Sequence, residues 1–159
     1  MSTIERYADG SILDGIRKAL LILGRKEHEG AEDAESIYVL EKIREFRPKV
    51  ISIDEASACL RSAETIALGD RVCSELHPGS IVTRTVFLDE LAKAMIDAGK
   101  AEMSNAEEAE KALRRYAGHP LIMSLISGRH LEICASHQSD CVFWMAEKHG
   151  MHCLERNRA

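Results

Sequence analysis

Short apolar runs alternate with amphipathic stretches along this chain, and the alternation predicts strands and helices in turn. The most apolar run covers residues 19–23, which are Ala-Leu-Leu-Ile-Leu. A run that is short and apolar without alternation is typical of a strand buried on both faces of a parallel sheet. We therefore expect a first strand over residues 19–25, preceded by a short amphipathic N-terminal helix around residues 12–16.

Three further strands are predicted downstream, over residues 49–54, 81–87 and 131–135, and each is followed by a helical pattern. The predicted helices cover residues 37–46, 56–76, 88–98 and 139–149, and one more helix is predicted after a cap at Ser104 or Asn105. A final short strand is predicted over residues 151–154. Strands that alternate with helices predict the α/β class. We expect a three-layer α/β/α sandwich with a mostly parallel sheet, in one domain of 159 residues with an N-terminal extension over residues 1–17.

The composition is that of an ordinary globular protein. Apolar residues make up 45% of the chain and charged residues 30%, and the formal net charge is −5. This balance excludes a disordered chain and argues against nucleic acid or an anionic membrane surface as a partner. No apolar run approaches the roughly 20 residues that a membrane-spanning helix needs, and the first residues lack a signal-peptide pattern. We expect a cytoplasmic protein.

The cysteines and histidines form no recognisable metal or disulfide motif. The five cysteines are odd in number and are never spaced as Cys-x-x-Cys. Buried free thiols in a reducing compartment explain them better than disulfides or zinc ligands. The seven histidines include no His-x-His or His-x-x-x-His pair on a predicted element. We expect no bound metal and no cofactor.

Charged and polar residues follow the predicted strands, at the points where parallel strands would bring them to one edge of the sheet. They are Arg25 and Lys26, Arg61, Asp89 and Glu90, and Ser136 and His137. Such a set suits a phosphate ester, because arginines bind its oxygens and helix N-termini add backbone donors. Each residue also has an ordinary explanation, as a surface arginine, a helix-start charge or a turn histidine.

Three segments in order resemble motifs of the histidine phosphatase superfamily, the phosphoglycerate mutase-like fold. The segment from Ala56 to Ala67 resembles the helix-start signature, with Ser57, Arg61 and Thr65 at the matching positions. The strand from Leu131 to Gln138 is similar to the second histidine motif, and residues 87–91 resemble the segment that carries the acidic residue, here Glu90. The resemblance covers residues 18 to 150 and suggests the compact, phosphohistidine phosphatase-like branch. It implies phosphate binding by Arg25, Ser57, Arg61 and His137.

The chain departs from the family pattern at the nucleophile. The first strand of the family ends in Arg-His-Gly, and that histidine attacks phosphorus, whereas this chain has Arg25-Lys26-Glu27. A protonated lysine is a poor phosphoryl nucleophile at neutral pH, and it fits a phosphate pocket better as a point charge. The resemblance therefore leaves His137, Glu90 and Lys26 as the catalytic candidates of a pocket without its usual nucleophile.

The leading hypothesis is a phosphate-binding protein of this fold, catalytically impaired, whose partner is a phosphorylated small molecule or a phosphoprotein. One alternative is an active phosphohydrolase, either a phosphomonoesterase or a phosphohistidine phosphatase, that uses an unusual nucleophile such as His28 or a water near Glu90. A second alternative is an interaction scaffold that binds no ligand.

Overall fold

A computed structural model describes residues 2–25, 34–76, 79–80, 82–136, 141–148 and 153–156. The described helices are α1 (Thr3–Asp9), α2 (Ile12–Arg25), α3 (Ala34–Phe46), α4 (Ile53–Ser62), α5 (Asp89–Asp97), α6 (Ala106–Arg114) and α7 (Val142–Lys148). The strands are β1 (Lys49–Ile51), β2 (Ile66–Asp70), β3 (Arg84–Leu88), β4 (Ala101–Ser104), β5 (Leu121–Ile126), β6 (Arg129–Ala135) and β7 (Glu155–Arg156), and a 3₁₀ turn covers Val72–Leu76. The α/β class is confirmed.

The strands form one sheet in the order β4-β2-β3-β6-β5-β1-β7. Neighbouring strands are antiparallel throughout, except that β1 and β7 are parallel. The predicted mostly parallel sheet is therefore wrong. The physical reason is connectivity: parallel neighbours need long crossovers, whereas β5 and β6 are joined by a two-residue turn at Ser127 and Gly128. Both turn residues have positive φ, at 52° and 83°, as a type I′ hairpin requires.

The predicted first strand over residues 19–25 is also wrong, because these residues belong to helix α2. Buried residues recur on this helix at Ile12, Ala19, Ile22 and Leu23, which is helical spacing, while Leu21 within the apolar run is 62% exposed. The run is therefore one side of a longer amphipathic helix that starts in the predicted N-terminal extension. Within the predicted N-terminal extension, the side chains of Tyr7 and Ile12 are buried in the core.

The predicted helix over residues 56–76 is only partly correct. Helix α4 ends at Ser62, and strand β2 and the 3₁₀ turn occupy most of the remainder. The predicted strands at 49–54, 81–87 and 131–135 correspond to β1, β3 and β6 with shifted ends. The segment at 121–126, which had no predicted element, is strand β5. Asn105 caps α6 as expected, since its side chain accepts a hydrogen bond from the backbone N–H of Glu108 at 2.9 Å.

Helices cover both faces of the sheet. On one face, Leu60 of α4 and Leu113 of α6 pack with sheet residues such as Val86 and Ile133. On the other face, α1 and α5 pack against β2 and β3, and α2, α3 and α7 form a neighbouring cluster. None of the described helices is long and apolar enough to cross a membrane. The second face matters most here, because its two clusters leave a space between them.

Candidate ligand-binding cavity

Two of the predicted phosphate ligands, Ser57 and Arg61, lie together on helix α4. The Arg61 guanidinium donates to Ser57 Oγ at 3.0 Å, as residues four positions apart on a helix can. The Glu110 carboxylate of α6 lies beside both residues. Ser57 donates a hydrogen bond to this carboxylate, which lowers its pKa, and the positive charge of Arg61 lowers the pKa further. A carboxylate in this place competes with a phosphate for the same donors. Arg61 is exposed, so this pair forms an open surface feature.

Glu90, the predicted acidic catalytic residue, forms an ion pair at the start of helix α5. Its carboxylate accepts a hydrogen bond from Arg129 at 2.8 Å, and Arg129 also contacts Asp89 at 3.3 Å. Arg129 begins β6 and Ser136 follows its end, so roughly 20 Å of strand separates the two residues. The structure therefore places Glu90 and Ser136 at opposite ends of the neighbouring strands β3 and β6, because these strands are antiparallel.

The remaining predicted site residues are Lys26, His28 and His137, which lie outside the described residues, as does the side chain of Arg25. Their predicted convergence on one edge required four parallel strands, and the sheet is antiparallel at every one of the described pairings except β1 with β7. Phosphate binding by Arg25, Arg61 and His137 stays a prediction.

A cavity of about 190 Å³ lies between the sheet and the helices of the second face. Its walls are mostly apolar side chains from four helices, among them Ile12, Ala19, Val39, Ile43 and Phe143. Its floor is formed by strands β5 and β6 and the residue after β6, and carries polar groups on the same face, namely Ser124, Glu132, Cys134 and Ser136. Concave, mainly apolar sites with a few convergent polar groups are typical of small-molecule binding.

Glu132 is the most unusual residue of the floor, since it is a carboxylate only 7% exposed. Its Oε1 accepts a hydrogen bond from the Tyr7 hydroxyl at 3.4 Å, and its Oε2 accepts one from Thr85 Oγ1 at 3.1 Å. Thr85 also points at the carbonyl of Ile133, at 3.0 Å, so its single proton is shared between two acceptors.

The pKa of Glu132 is raised to about 7, because burial disfavours the charged carboxylate. The hydrogen bonds from Thr85 and Tyr7 and the positive charge of Arg71 act in the opposite direction but do not cancel the effect of burial. Glu132 can therefore change its charge near neutral pH. A carboxyl group in this state can either donate or accept a hydrogen bond, and it can exchange a proton with a bound molecule.

Arg71 brings a positive charge to the same cavity. It follows β2, lines the cavity and is only 2% exposed. Its Nη2 donates to Ser80 Oγ at 3.2 Å, and its backbone N–H donates to the carbonyl of Thr83 at 2.7 Å. Burying a guanidinium and a carboxyl group near each other costs desolvation free energy, so proteins retain such groups where the charges pair or bind a ligand.

Three of the five cysteines, Cys73, Cys134 and Cys141, also line the cavity. Burial raises the pKa of the Cys134 thiol well above its usual value, and the neighbouring Glu132 carboxylate raises it further. A thiol that is held protonated is a weak nucleophile and a weak metal ligand. In the described part of the chain, no group of three or more His, Cys, Asp or Glu side chains is placed to hold a metal ion.

The single tryptophan reports on this cavity. Trp144 of α7 is 8% exposed, and its indole N–H donates to Ser136 Oγ at 2.8 Å. Ser136 in turn donates to the carbonyl of Pro120 at 2.7 Å and lines the cavity floor. A molecule that enters the cavity therefore lies next to the hydrogen-bond partner of the only indole.

A second cavity of about 360 Å³ adjoins the first and is lined in part by Asp70 and Lys100. Tyr7, Arg71 and Val72 line both cavities. Substitutions at these residues would therefore change both spaces. Glu132 and Ala19 line the first cavity but not the second, so they are the better positions for tests of the first.

Sequence reasoning missed this site because it looked at strand ends, whereas the polar groups lie within strands. The signal was present in β6, where Glu132 and Cys134 alternate with Leu131 and Ile133. A glutamate inside an otherwise apolar strand is uncommon and indicates a buried polar environment or an exposed face.

No protein-family model, no curated protein and no solved structure matches the chain.

Proposed function

We propose that this protein binds a small organic molecule, with a mostly apolar body and one polar group, in the cavity between the sheet and helices α1, α2, α3 and α7. The observation that carries the proposal is the combination of apolar helical walls with a polar floor at Glu132. The raised pKa of Cys134 argues for binding over catalysis by this thiol, because a protonated thiol is not an activated nucleophile.

The cavity has room for a ligand of about one ring. An apolar protein cavity of about 150 Å³ can hold benzene, and this cavity measures about 190 Å³. A substituted benzene or a branched chain of similar size therefore fits.

The expected affinity is modest. An aromatic ring that buries about 150 Å² gains about 4 kcal/mol at roughly 25 cal/mol per Å², which corresponds to a dissociation constant of ~1 mM. Contacts with the polar floor would strengthen binding. Titrations should therefore extend to millimolar ligand.

Benzyl alcohol is a suitable neutral probe, since its ring matches the apolar walls and its hydroxyl can hydrogen-bond with Glu132. We expect saturable changes in Trp144 fluorescence and a matching rise in the unfolding temperature. At ten times the dissociation constant, ligand binding stabilises the folded state by about 1.4 kcal/mol, which raises the unfolding temperature by roughly 3–6 °C for a chain of this size.

A cavity-filling variant tests the location. Ala19 is buried in the cavity wall, and Ala19→Phe places a ring where the ligand would lie. Leu21, two positions further along the same helix, is exposed and does not line the cavity, so Leu21→Phe is the matched control. We expect Ala19→Phe to abolish the fluorescence response while Leu21→Phe keeps it. Equal binding by both folded variants would place the ligand elsewhere and contradict the proposal.

A further inference from the structure

We propose that the ligand of this cavity is a small apolar monocarboxylate, which binds beside Arg71 together with one proton that Glu132 takes up. The inference rests on the proposed function and names its ligand class. In the binding step, the ionised ligand enters the cavity and the ionised Glu132 takes up one proton from solvent. The complex then holds a ligand carboxylate beside a neutral Glu132 carboxyl group. Charge and atoms balance, because only the proton moves.

The geometry provides both halves of such a site. Arg71 and Glu132 are each more than nine-tenths buried, and both line the same mainly apolar cavity. They lie close enough that the charge of Arg71 acts on the Glu132 carboxyl group. A neutral carboxyl group can donate to one ligand oxygen while the guanidinium attracts the negative charge, and charge-assisted hydrogen bonds of this kind are the strong ones.

The charges along the cavity wall favour an anion over a cation. Arg6, Lys42 and Arg71 line it with positive charge, against Glu45 and Glu132. Protonation of Glu132 removes one negative charge from the surroundings of Arg71, and burial strengthens the attraction of the guanidinium for an anion. A ligand ammonium group would have to lie beside this guanidinium, which is unfavourable.

Titration of Glu132 provides the proton. Burial raises its pKa to about 7, and a ligand carboxylate nearby would raise it further, since like charges disfavour ionisation. Several groups on neighbouring elements face Glu132 or act on it: Tyr7, Arg71, Cys73, Thr85, Cys134 and Cys141. Burial also raises the pKa of Tyr7 and of Cys134 well above their usual values. Both stay protonated around neutral pH, so among Tyr7, Cys134 and Glu132 it is Glu132 that titrates there.

The pH dependence follows from this titration. If the anion binds only to the form with neutral Glu132, the apparent affinity is nearly constant below pH 6 and falls about tenfold for each pH unit well above 7. Between pH 6 and pH 8 the expected loss is about tenfold, and at pH 8 about 0.9 proton enters with each ligand.

The test uses the whole chain and three probes of similar shape but different charge: benzoate, benzyl alcohol and benzylammonium. Isothermal titration calorimetry at pH 6 should rank benzoate tightest and benzylammonium weakest. Between pH 6 and pH 8 the benzoate affinity should fall about tenfold, while that of benzyl alcohol changes less than threefold. Titrations in two buffers of different ionisation enthalpy measure the number of protons taken up.

Two variants assign the roles. Glu132→Gln keeps a neutral donor, so it should bind benzoate at pH 8 about tenfold more tightly than the natural protein and take up no proton. Arg71→Lys should weaken benzoate at least tenfold but leave benzyl alcohol within threefold, because a lysine keeps the charge without the planar guanidinium. Glu102→Gln, an exposed carboxylate on β4, is the control and should behave like the natural protein.

The outcomes separate the two proposals. Binding of benzyl alcohol without benzoate would overturn the monocarboxylate inference and leave the proposed function standing. Tighter binding of benzylammonium than of benzoate, or benzoate binding at pH 8 with no proton uptake, would overturn it as well. Loss of binding for all three probes would remove both proposals. If Arg71→Lys does not fold, the Glu132→Gln comparison still decides the inference.

Discussion

Glu132→Gln should make the free energy of unfolding less sensitive to pH, and the size of the effect follows from the buried carboxyl group. The pKa of Glu132 is 4.5 in a solvated chain and about 7 in the folded protein, because burial disfavours its ionised form. Between these two values the unfolded chain has released a proton that the folded protein keeps. Raising the pH through this window therefore lowers the stability contributed by this residue.

Each pH unit between the two pKa values corresponds to about 1.4 kcal/mol, so the full effect is about 3 kcal/mol. Most of it is lost between pH 5 and pH 8. Glutamine does not titrate, so the stability of Glu132→Gln relative to the natural protein should rise by about 2–3 kcal/mol over this range. The two proteins should differ least at pH 5, where the natural carboxyl group is neutral when folded.

Urea unfolding at pH 5, 6, 7 and 8 measures this difference directly. With a slope of about 2 kcal/mol per molar urea, the midpoints of the two proteins should move relative to each other by roughly 1 M across the range. Glu102→Gln controls for the general loss of a carboxylate from the surface. A constant stability difference between Glu132→Gln and the natural protein at all four pH values would refute the reasoning, because it would show that Glu132 does not titrate in this window.

Two further substitutions test the packing and the phosphate hypothesis. Gly69→Ala in β2 should destabilise the protein by about 1–3 kcal/mol in thermal unfolding, because a Cβ there would lie 2.6 Å from the carbonyl oxygen of Lys100. Gly24→Ala is the control, since its Cβ would meet no described atom within 4 Å. This control should stabilise helix α2 by about 0.5–1 kcal/mol. If the predicted phosphate pocket exists, calorimetry should detect binding of inorganic phosphate to the natural protein. Arg61→Ala should weaken this binding at least tenfold, whereas the control Arg115→Ala should leave it unchanged. No phosphate binding by the natural protein would end the phosphate hypothesis.

The class of the fold could be predicted from the sequence, but the direction of its strands could not. The strands at β1 and β3 were recognisable because each is short and rich in β-branched or aromatic residues, and the strand at β6 because residues 131–135 form a short, mainly apolar run after the turn at Gly128. Strand direction depends on which strands become neighbours, and that is decided by long-range packing. The turn at Ser127 and Gly128 was the local clue to an antiparallel pair, but it is informative only once residues 121–126 are recognised as a strand.

The first element was misread because a five-residue apolar run fits a strand and a helix equally well. Assigning residues 12–16 and 19–25 to separate elements hid the helical spacing that joins Ile12, Ala19 and Leu23. The candidate cavity was out of reach for a related reason. Its walls come mainly from helices α1, α2 and α3, which lie far before Glu132 in the chain, and only packing brings them over this residue.

The arrangement of the sheet also has a consequence for how the chain folds. Strands β5 and β6 meet through a tight turn, and β2 pairs with β3 and β4 that follow it closely in the chain. Strand β1, in contrast, pairs with β5 and with β7, so Lys49 meets Glu155 from near the other end of the described chain. Closing such long loops costs chain entropy before any contact is gained. The β1–β7 edge should therefore assemble late, and its amide hydrogens should exchange with solvent sooner than those of the β5–β6 hairpin.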